Sequence, residues 1–299
     1  MALGVIAVGL SACGPTKTSD NGKVSVVANF YPIAYAAQRV GGDLVTVRNL
    51  TPAGVEPHDL ELTSDEVDHI DAADVVFFMG SGFQPAVAAA AKRRSGNSVD
   101  VSSGLLATGD AATIARQEGQ QPKAGATDPH FWLDPTRMAR AVDAIRSALD
   151  RADPGHAATY DRNATAYKQE LAQLDADFAA GLAHCARTEI VTAHAAFYYL
   201  AQRYRLSQYG ITGVSPDAEP DPQRLADLSD RITRDGITTV FYEELVPRDF
   251  ADTLAHDAHV QTAVLSPLEG LSKDEQTKGD TYISVMRKNL AALMTALGC

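Results

Sequence analysis

The sequence predicts an α/β protein of two lobes, each with a mostly parallel four-stranded sheet flanked by helices, joined by one long connecting helix. Three observations carry that expectation. Short β-branched runs alternate with longer helical stretches, the alternation occurs twice, and a segment of sustained helical period separates the two series.

The first series runs VSVVANF, PIAYAAQRV, VTVRNL, TSDEVDHIDAA, DVVFFMG, FQPAVAAAAKRR and SVDVS, over residues 24–153. Its strands are near-continuous apolar runs, the pattern of a sheet covered by helices on both faces. The connector, residues 154–183, opens with Pro154 and carries Tyr160, Ala164, Tyr167, Leu171, Leu174 and Phe178 at spacings of three and four, with Gly181 near its end. As a helix it would run roughly 40 Å, long enough to brace both lobes. The second series, residues 184–299, runs EIVTAH, FYYLAQRYRL, SQYGIT, DPQRLADLSDRITRDG, TTVFYEE, VPRDFADTLAHDAH, QTAVLSP and TYISVMRKNLAALMTAL. Residues 105–129 hold no sustained period and read as a long surface loop, a class that is often functional.

A chain of 299 residues with 45% apolar and 21% charged residues has ample material for packed cores. Its formal charge of −12 has the wrong sign for neutralising phosphates, so nucleic acid is excluded as a partner class. Residues 1–12 hold an apolar run, MALGVIAVGL, too short to span a bilayer, followed by Ser11-Ala12-Cys13. The run resembles a bacterial lipoprotein signal, although no Lys or Arg precedes it; cleavage would leave Cys13 lipid-modified on a polar tether, residues 13–23. That places the protein outside the cytoplasm, in the periplasm or on the cell surface. In such an oxidising compartment Cys185 and Cys299 could pair as a disulfide, or remain separate thiols.

Ligands of open α/β sheets bind beyond the carboxyl ends of the strands. Four side chains with metal-binding chemistry fall there, two from each lobe: His58 in GVEPHDLELT, His130 in DPHFWLDP, His194 at the end of EIVTAH and Asp280 in KGDTY. Three imidazoles and one carboxylate make a tetrahedral set that suits zinc. Each also has an ordinary reading: a loop histidine can simply be hydrogen-bonded, and Asp280 can be the N-cap of the last helix. Glu243 and Glu244, ending TTVFYEE, could supply an oxygen ligand, a base, or an acceptor for a histidine N–H. His69 and His156 read as solvent-facing. His256 and His259, three apart on a helix, read as a surface face, and His184 lies beside a structural cysteine.

NFYPIAYAAQRVGGD at residues 29–43, LTPAGVEPHDLELTSDEV at 50–67, ADVVFFMGSGF at 73–83, DPHFWLDP at 128–135, TAHAAFYYLAQRYRL at 192–206 and GDTYISVMRKNL at 279–290 together resemble the metal-binding subunits of zinc and manganese ABC importers. The resemblance implies a monomeric, lipid-anchored receptor that captures a metal between its lobes and passes it to a permease and its ATPase. It also implies His58, His130, His194 and Asp280 as the ligands. Members with glutamate at the third position are associated with manganese, so His194 points to zinc. The histidine- and acid-rich loop of many zinc members has no counterpart at 105–129. Three rivals stay open: a manganese or other divalent-metal receptor of the same type, a zinc hydrolase with Glu243 as base, and a surface adhesion protein in which metal is structural.

Overall fold

A computed structural model describes residues 22–58, 60–80, 82–106 and 127–299. The N-terminal apolar run, Cys13 and residues 107–126 of the long loop lie outside the described residues. The first lobe contains β1 (Val24–Ala28), α1 (Tyr31–Gly41), β2 (Val45–Asn49), α2 (Ser64–Ala72), β3 (Val75–Phe78), α3 (Pro85–Arg93), β4 (Asn97–Asp100) and α4 (Pro135–Ala152). After α5 (Ala157–Gly181) the second lobe contains β5 (Glu189–Thr192), α6 (Tyr198–Tyr204), β6 (Ser207–Gly210), α7 (Pro222–Asp235), β7 (Thr239–Tyr242), α8 (Asp249–Asp257), β8 (Gln261–Val264), α9 (Lys273–Lys278) and α10 (Tyr282–Leu297).

Both sheets are parallel and four-stranded, ordered β2-β1-β3-β4 and β6-β5-β7-β8. In each, strands are added first to one side of the lobe's first strand and then to the other, so the winding switches between the first strand of the lobe and the third. The carboxyl ends of β1 and β3, and of β5 and β7, are therefore the crevices where such folds place ligands.

Apolar strands fold this way because side chains alternate between two covered faces. In the first sheet Val26, Ala28, Val75 and Phe77 point into one core, whereas Val27, Val76 and Phe78 point into a second core beneath α2 and α3. The second sheet repeats the division, with Ile190 and Phe241 on one side and Val191 and Val240 on the other. The inner faces of both sheets share a single core with α5, whose Tyr160, Tyr167, Leu171, Leu174 and Phe178 are buried.

The connector differs from its sequence outline at the start. Pro154 opens a separate 3-10 turn, Pro154–His156, and the α-helix begins at Ala157. The 25-residue helix spans roughly 37 Å and packs on α1, α4 and α10, so it touches both lobes. A continuous buried core across the lobe boundary resists large opening. A disulfide joins Cys185 to Cys299. Beside it the last residues are stitched to the start of the second lobe by Ala186 N–H to Gly298 O at 3.3 Å and Arg187 N–H to Leu297 O at 3.1 Å.

Candidate metal centre

His58, His130, His194 and Glu269 offer one ligand atom each, all within 4.8 Å of one another. His130 and His194 are fully buried, Glu269 is 2% exposed, and His58, at 10%, is the edge nearest solvent. His130 Nε2 lies 3.3 Å from His194 Nε2, and Glu269 Oε1 lies 3.1, 2.8 and 3.3 Å from the Nε2 atoms of His58, His130 and His194. A tetrahedron with bonds of about 2.0 to 2.1 Å has edges of about 3.3 Å, so the four spacings from 2.8 to 3.3 Å are close to those one cation at the centre requires.

Each ligand reaches the centre from a loop that follows a strand or precedes a helix. His58 follows β2 on a loop pinned by Gln84, whose Nε2 donates to Thr51 Oγ1 and to Pro57 O, both at 3.1 Å, while its Oε1 accepts from Asn29 Nδ2 at 2.8 Å. Gly54 on this loop has φ +81°, and its N–H donates to Leu271 O across the lobe boundary at 2.8 Å. A side chain there would be strained by that φ and would press on Lys273. His194 follows β5, at the crevice beside the end of β7, where Glu243 stands.

Buried carboxylates orient two of the rings. Asp128 Oδ1 accepts from the His130 backbone N–H at 2.7 Å and lies 2.8 Å from its Nδ1. Glu243 Oε1 accepts from the His194 N–H at 3.1 Å and lies 2.7 Å from its Nδ1. An ionised carboxylate can only accept, so both Nδ1 atoms carry a hydrogen, and each Nε2 is the atom that faces the centre and becomes the metal donor once its own proton is displaced. Exchanging Asp128 for Asn, or Glu243 for Gln, is expected to weaken metal binding by about 10 to 100-fold. A titration unchanged in both variants would rule out this orienting role.

Glu269 sits in Ser266-Pro267-Leu268-Glu269-Gly270, after β8. Leu268 is fully buried yet has φ +54°, a left-handed conformation that costs roughly 1–3 kcal/mol for a bulky residue. That local reversal directs Glu269 inward.

Asp280, the carboxylate ligand expected from the sequence, is placed elsewhere. Its Oδ2 is 2.5 Å from Lys288 Nζ and its Oδ1 accepts from Ser284 Oγ at 3.0 Å. The local cause is the helix start: Gly279 ends α9 in the left-handed conformation, and Thr281, not Asp280, caps α10 in a capping box with Ser284. Asp280 is thereby turned into a hollow beside α10, its side chain 12% exposed, and Lys288 holds its carboxyl below the usual range. Glu244 lines the same hollow as Asp280 and Lys288, apart from the cluster. His156, His184, His256 and His259 are exposed and His69 is half-buried. Glu269 is the residue that sequence reasoning missed; its one signal was a lone acid between Leu268 and Gly270 in a loop following a strand.

The cluster's charge is set by competing effects. Burial would lower the His130 pKa, but the carboxylates of Asp128 and Glu269 outweigh it and hold the ring at about 9. Burial works against His194 in the same way, and Glu243 with Glu269 raise it well above its ordinary value. Burial would raise Glu269, but the charge of His194 and hydrogen bonds from the three histidines hold it well below the usual carboxylate range. Glu56, which accepts the His58 N–H at 2.9 Å, is pushed up to about 8 by burial and by the charge of Glu269.

At pH 7 protons on two buried rings thus balance charge that a dication would otherwise balance. Coordination needs neutral imidazole, so binding must displace them. About two protons are expected to leave per metal bound at pH 7. Apparent affinity should fall as pH drops below about 9, by about tenfold per displaced proton per unit. Calorimetry in buffers of different ionisation enthalpy measures the number directly, and a value near zero would contradict this balance.

Comparisons with known proteins agree with the fold. The chain is 37% identical over 292 residues to the zinc-binding lipoprotein AdcA of Streptococcus pneumoniae, covering 95% of this chain and 58% of that protein. It therefore spans little more than half the length of that relative. It is 33% identical over 298 residues to the high-affinity zinc uptake system protein ZnuA of Bacillus subtilis, covering 96% of this chain and 93% of the relative. The crystal structure of the Zn(II)-bound ZnuA-like domain of the Streptococcus pneumoniae protein superimposes with a TM-score of 0.77 at 35% identity, covering 93% of this chain and all of that domain. A family model described as zinc-uptake complex component A, periplasmic, matches residues 26–296, and the chain belongs to that family.

Proposed function

We propose that this protein is a solute-binding receptor that captures Zn²⁺ outside the cytoplasmic membrane and delivers it to an ABC permease driven by its ATPase. The observation that carries the reading is the convergence of three Nε2 atoms and one carboxylate oxygen, two of the rings oriented by buried carboxylates, between two lobes. Zinc is the cargo, and no bond of a substrate changes. Four protein ligands close the coordination sphere, whereas a catalytic zinc keeps a position for water. Glu243, the base of the hydrolase alternative, is 3% exposed and committed to His194, which leaves it no access to an attacking water.

Three nitrogens and one oxygen favour zinc over manganese, which prefers carboxylate and carbonyl oxygens. The names of the relatives support the same cargo: one is a zinc-binding lipoprotein and another a high-affinity zinc uptake protein. In this reading Cys13 carries the lipid anchor, residues 24–153 and 184–299 are the lobes, residues 154–183 brace them, and the receptor acts as a monomer. Among the described residues no helix is long and apolar enough to cross a membrane. Elemental analysis and calorimetric titration of residues 23–299 should give one equivalent of zinc, displacing manganese when both are offered. Binding of manganese in preference to zinc, or of neither, would overturn the assignment.

A further inference from the structure

Glu269 is held in place by a side chain of the other lobe. Trp132, two residues after His130, is fully buried, and its indole N–H donates to Pro267 O at 2.8 Å, two residues before Glu269. Its ring lies 5.0 Å from the His130 ring and 4.6 Å from Phe30, and its carbonyl accepts from Tyr282 Oη at 2.5 Å. Two further ties hold the same loop from the second lobe. Asn289 of α10 brackets Ser266, accepting from its N–H at 2.9 Å and donating to its carbonyl at 2.7 Å, and Ser266 Oγ accepts from Leu268 N–H at 3.2 Å.

These bonds surround Leu268, the one buried leucine with positive φ among the described residues. A left-handed leucine persists only where its surroundings over-determine it, so these bonds are what hold the loop in the conformation that turns Glu269 toward the histidines. We propose that Trp132 is a positioning residue for metal retention: its indole N–H latches the Glu269 loop of the second lobe to the His130 segment of the first. Undoing that bond lets Glu269 withdraw and opens the route of metal release. The inference rests on the metal site proposed above and names the element whose movement sets how long the metal stays.

The test is zinc affinity, together with the rate of zinc release to a chromogenic chelator. It is made on the intact protein and on Trp132→Phe, which keeps a ring but lacks the N–H, on Glu269→Gln, on the two combined, and on His194→Ala. Trp132→Phe should weaken zinc by about tenfold, mainly through faster release, since the N–H acts on a ligand from outside the coordination sphere. In the Glu269→Gln background the same change should add about twofold or less, because two groups acting through one contact are not additive. A purely structural role would give the same loss in both backgrounds.

Ser266→Ala removes a tie to Leu268 without touching Trp132 or His130. It should also speed release by severalfold, and it keeps the inference testable if Trp132→Phe folds poorly. An unchanged release rate in both variants, or an equal loss with and without Glu269, overturns the latch. Zinc binding by His194→Ala equal to that of the parent would overturn the metal site itself and the latch with it.

Discussion

Replacing Glu269 with alanine is expected to weaken zinc binding by at least about a hundredfold, while Asp280→Asn leaves it within about twofold. Structural four-ligand zinc sites bind with roughly 10–16 kcal/mol, so one ligand of four carries about 3 kcal/mol, or a little over two decades in affinity. Among the described residues Glu269 is also the one carboxylate that reaches the Nε2 atoms of all three rings, at 2.8 to 3.3 Å. Asp280 is instead paired with Lys288 and hydrogen-bonded by Ser284 in the hollow beside α10, apart from the three rings, so its loss leaves all four ligand atoms of the cluster in place. Calorimetric titration of the two variants side by side distinguishes the carboxylates. The opposite order, with Asp280→Asn abolishing binding and Glu269→Ala preserving it, would restore the ligand set expected from the sequence alone.

Removing the disulfide is expected to have the largest effect on stability while leaving the metal site intact. Cys185 and Cys299 are 114 positions apart, and in the chain-entropy view closing a loop of that length stabilises the folded state by about 4–5 kcal/mol. For a chain of this size that corresponds to a fall of roughly 10 °C in Tm for the Cys185→Ser, Cys299→Ser double variant. The bond ties the end of α10 to the segment after α5, whereas the metal ligands lie on the loops after β2, β5 and β8 and before α4. Zinc affinity at 25 °C should therefore match that of the parent. A melting temperature unmoved by reduction, or zinc binding lost with the bond, would show that the bridge acts otherwise.

The parts of this structure legible in the sequence are those that local chemistry dictates. Val24–Ala28 and Val75–Phe78 read as strands because apolar residues fill both faces, and the spacing from Tyr160 to Phe178 reads as a helix because a single face is buried. The three histidines were legible because they stand beside stiff turns or strand ends, where open sheets place ligands. Glu269 was not, because the feature that turns it inward is tertiary. Leu268 adopts a left-handed conformation no local rule assigns to leucine, and it does so beside hydrogen bonds that Trp132 donates to Pro267 and Asn289 donates to Ser266, from outside the loop. Asp280 carried the competing signal, an acid beside a glycine at a helix start, and that signal belongs to the Thr281 capping box. Glu243 was named among several roles; its contact with His194 depends on the β5–β7 pairing, which the order of strands along the chain does not reveal.

The most direct test of the central claim is anomalous diffraction at the zinc absorption edge from crystals of the zinc-loaded protein. One peak is expected, within about 2.0 to 2.2 Å of the Nε2 atoms of His58, His130 and His194 and of a Glu269 oxygen. A peak bound by Asp280, or one confined to the exposed pair His256 and His259, would contradict the site and the function built on it.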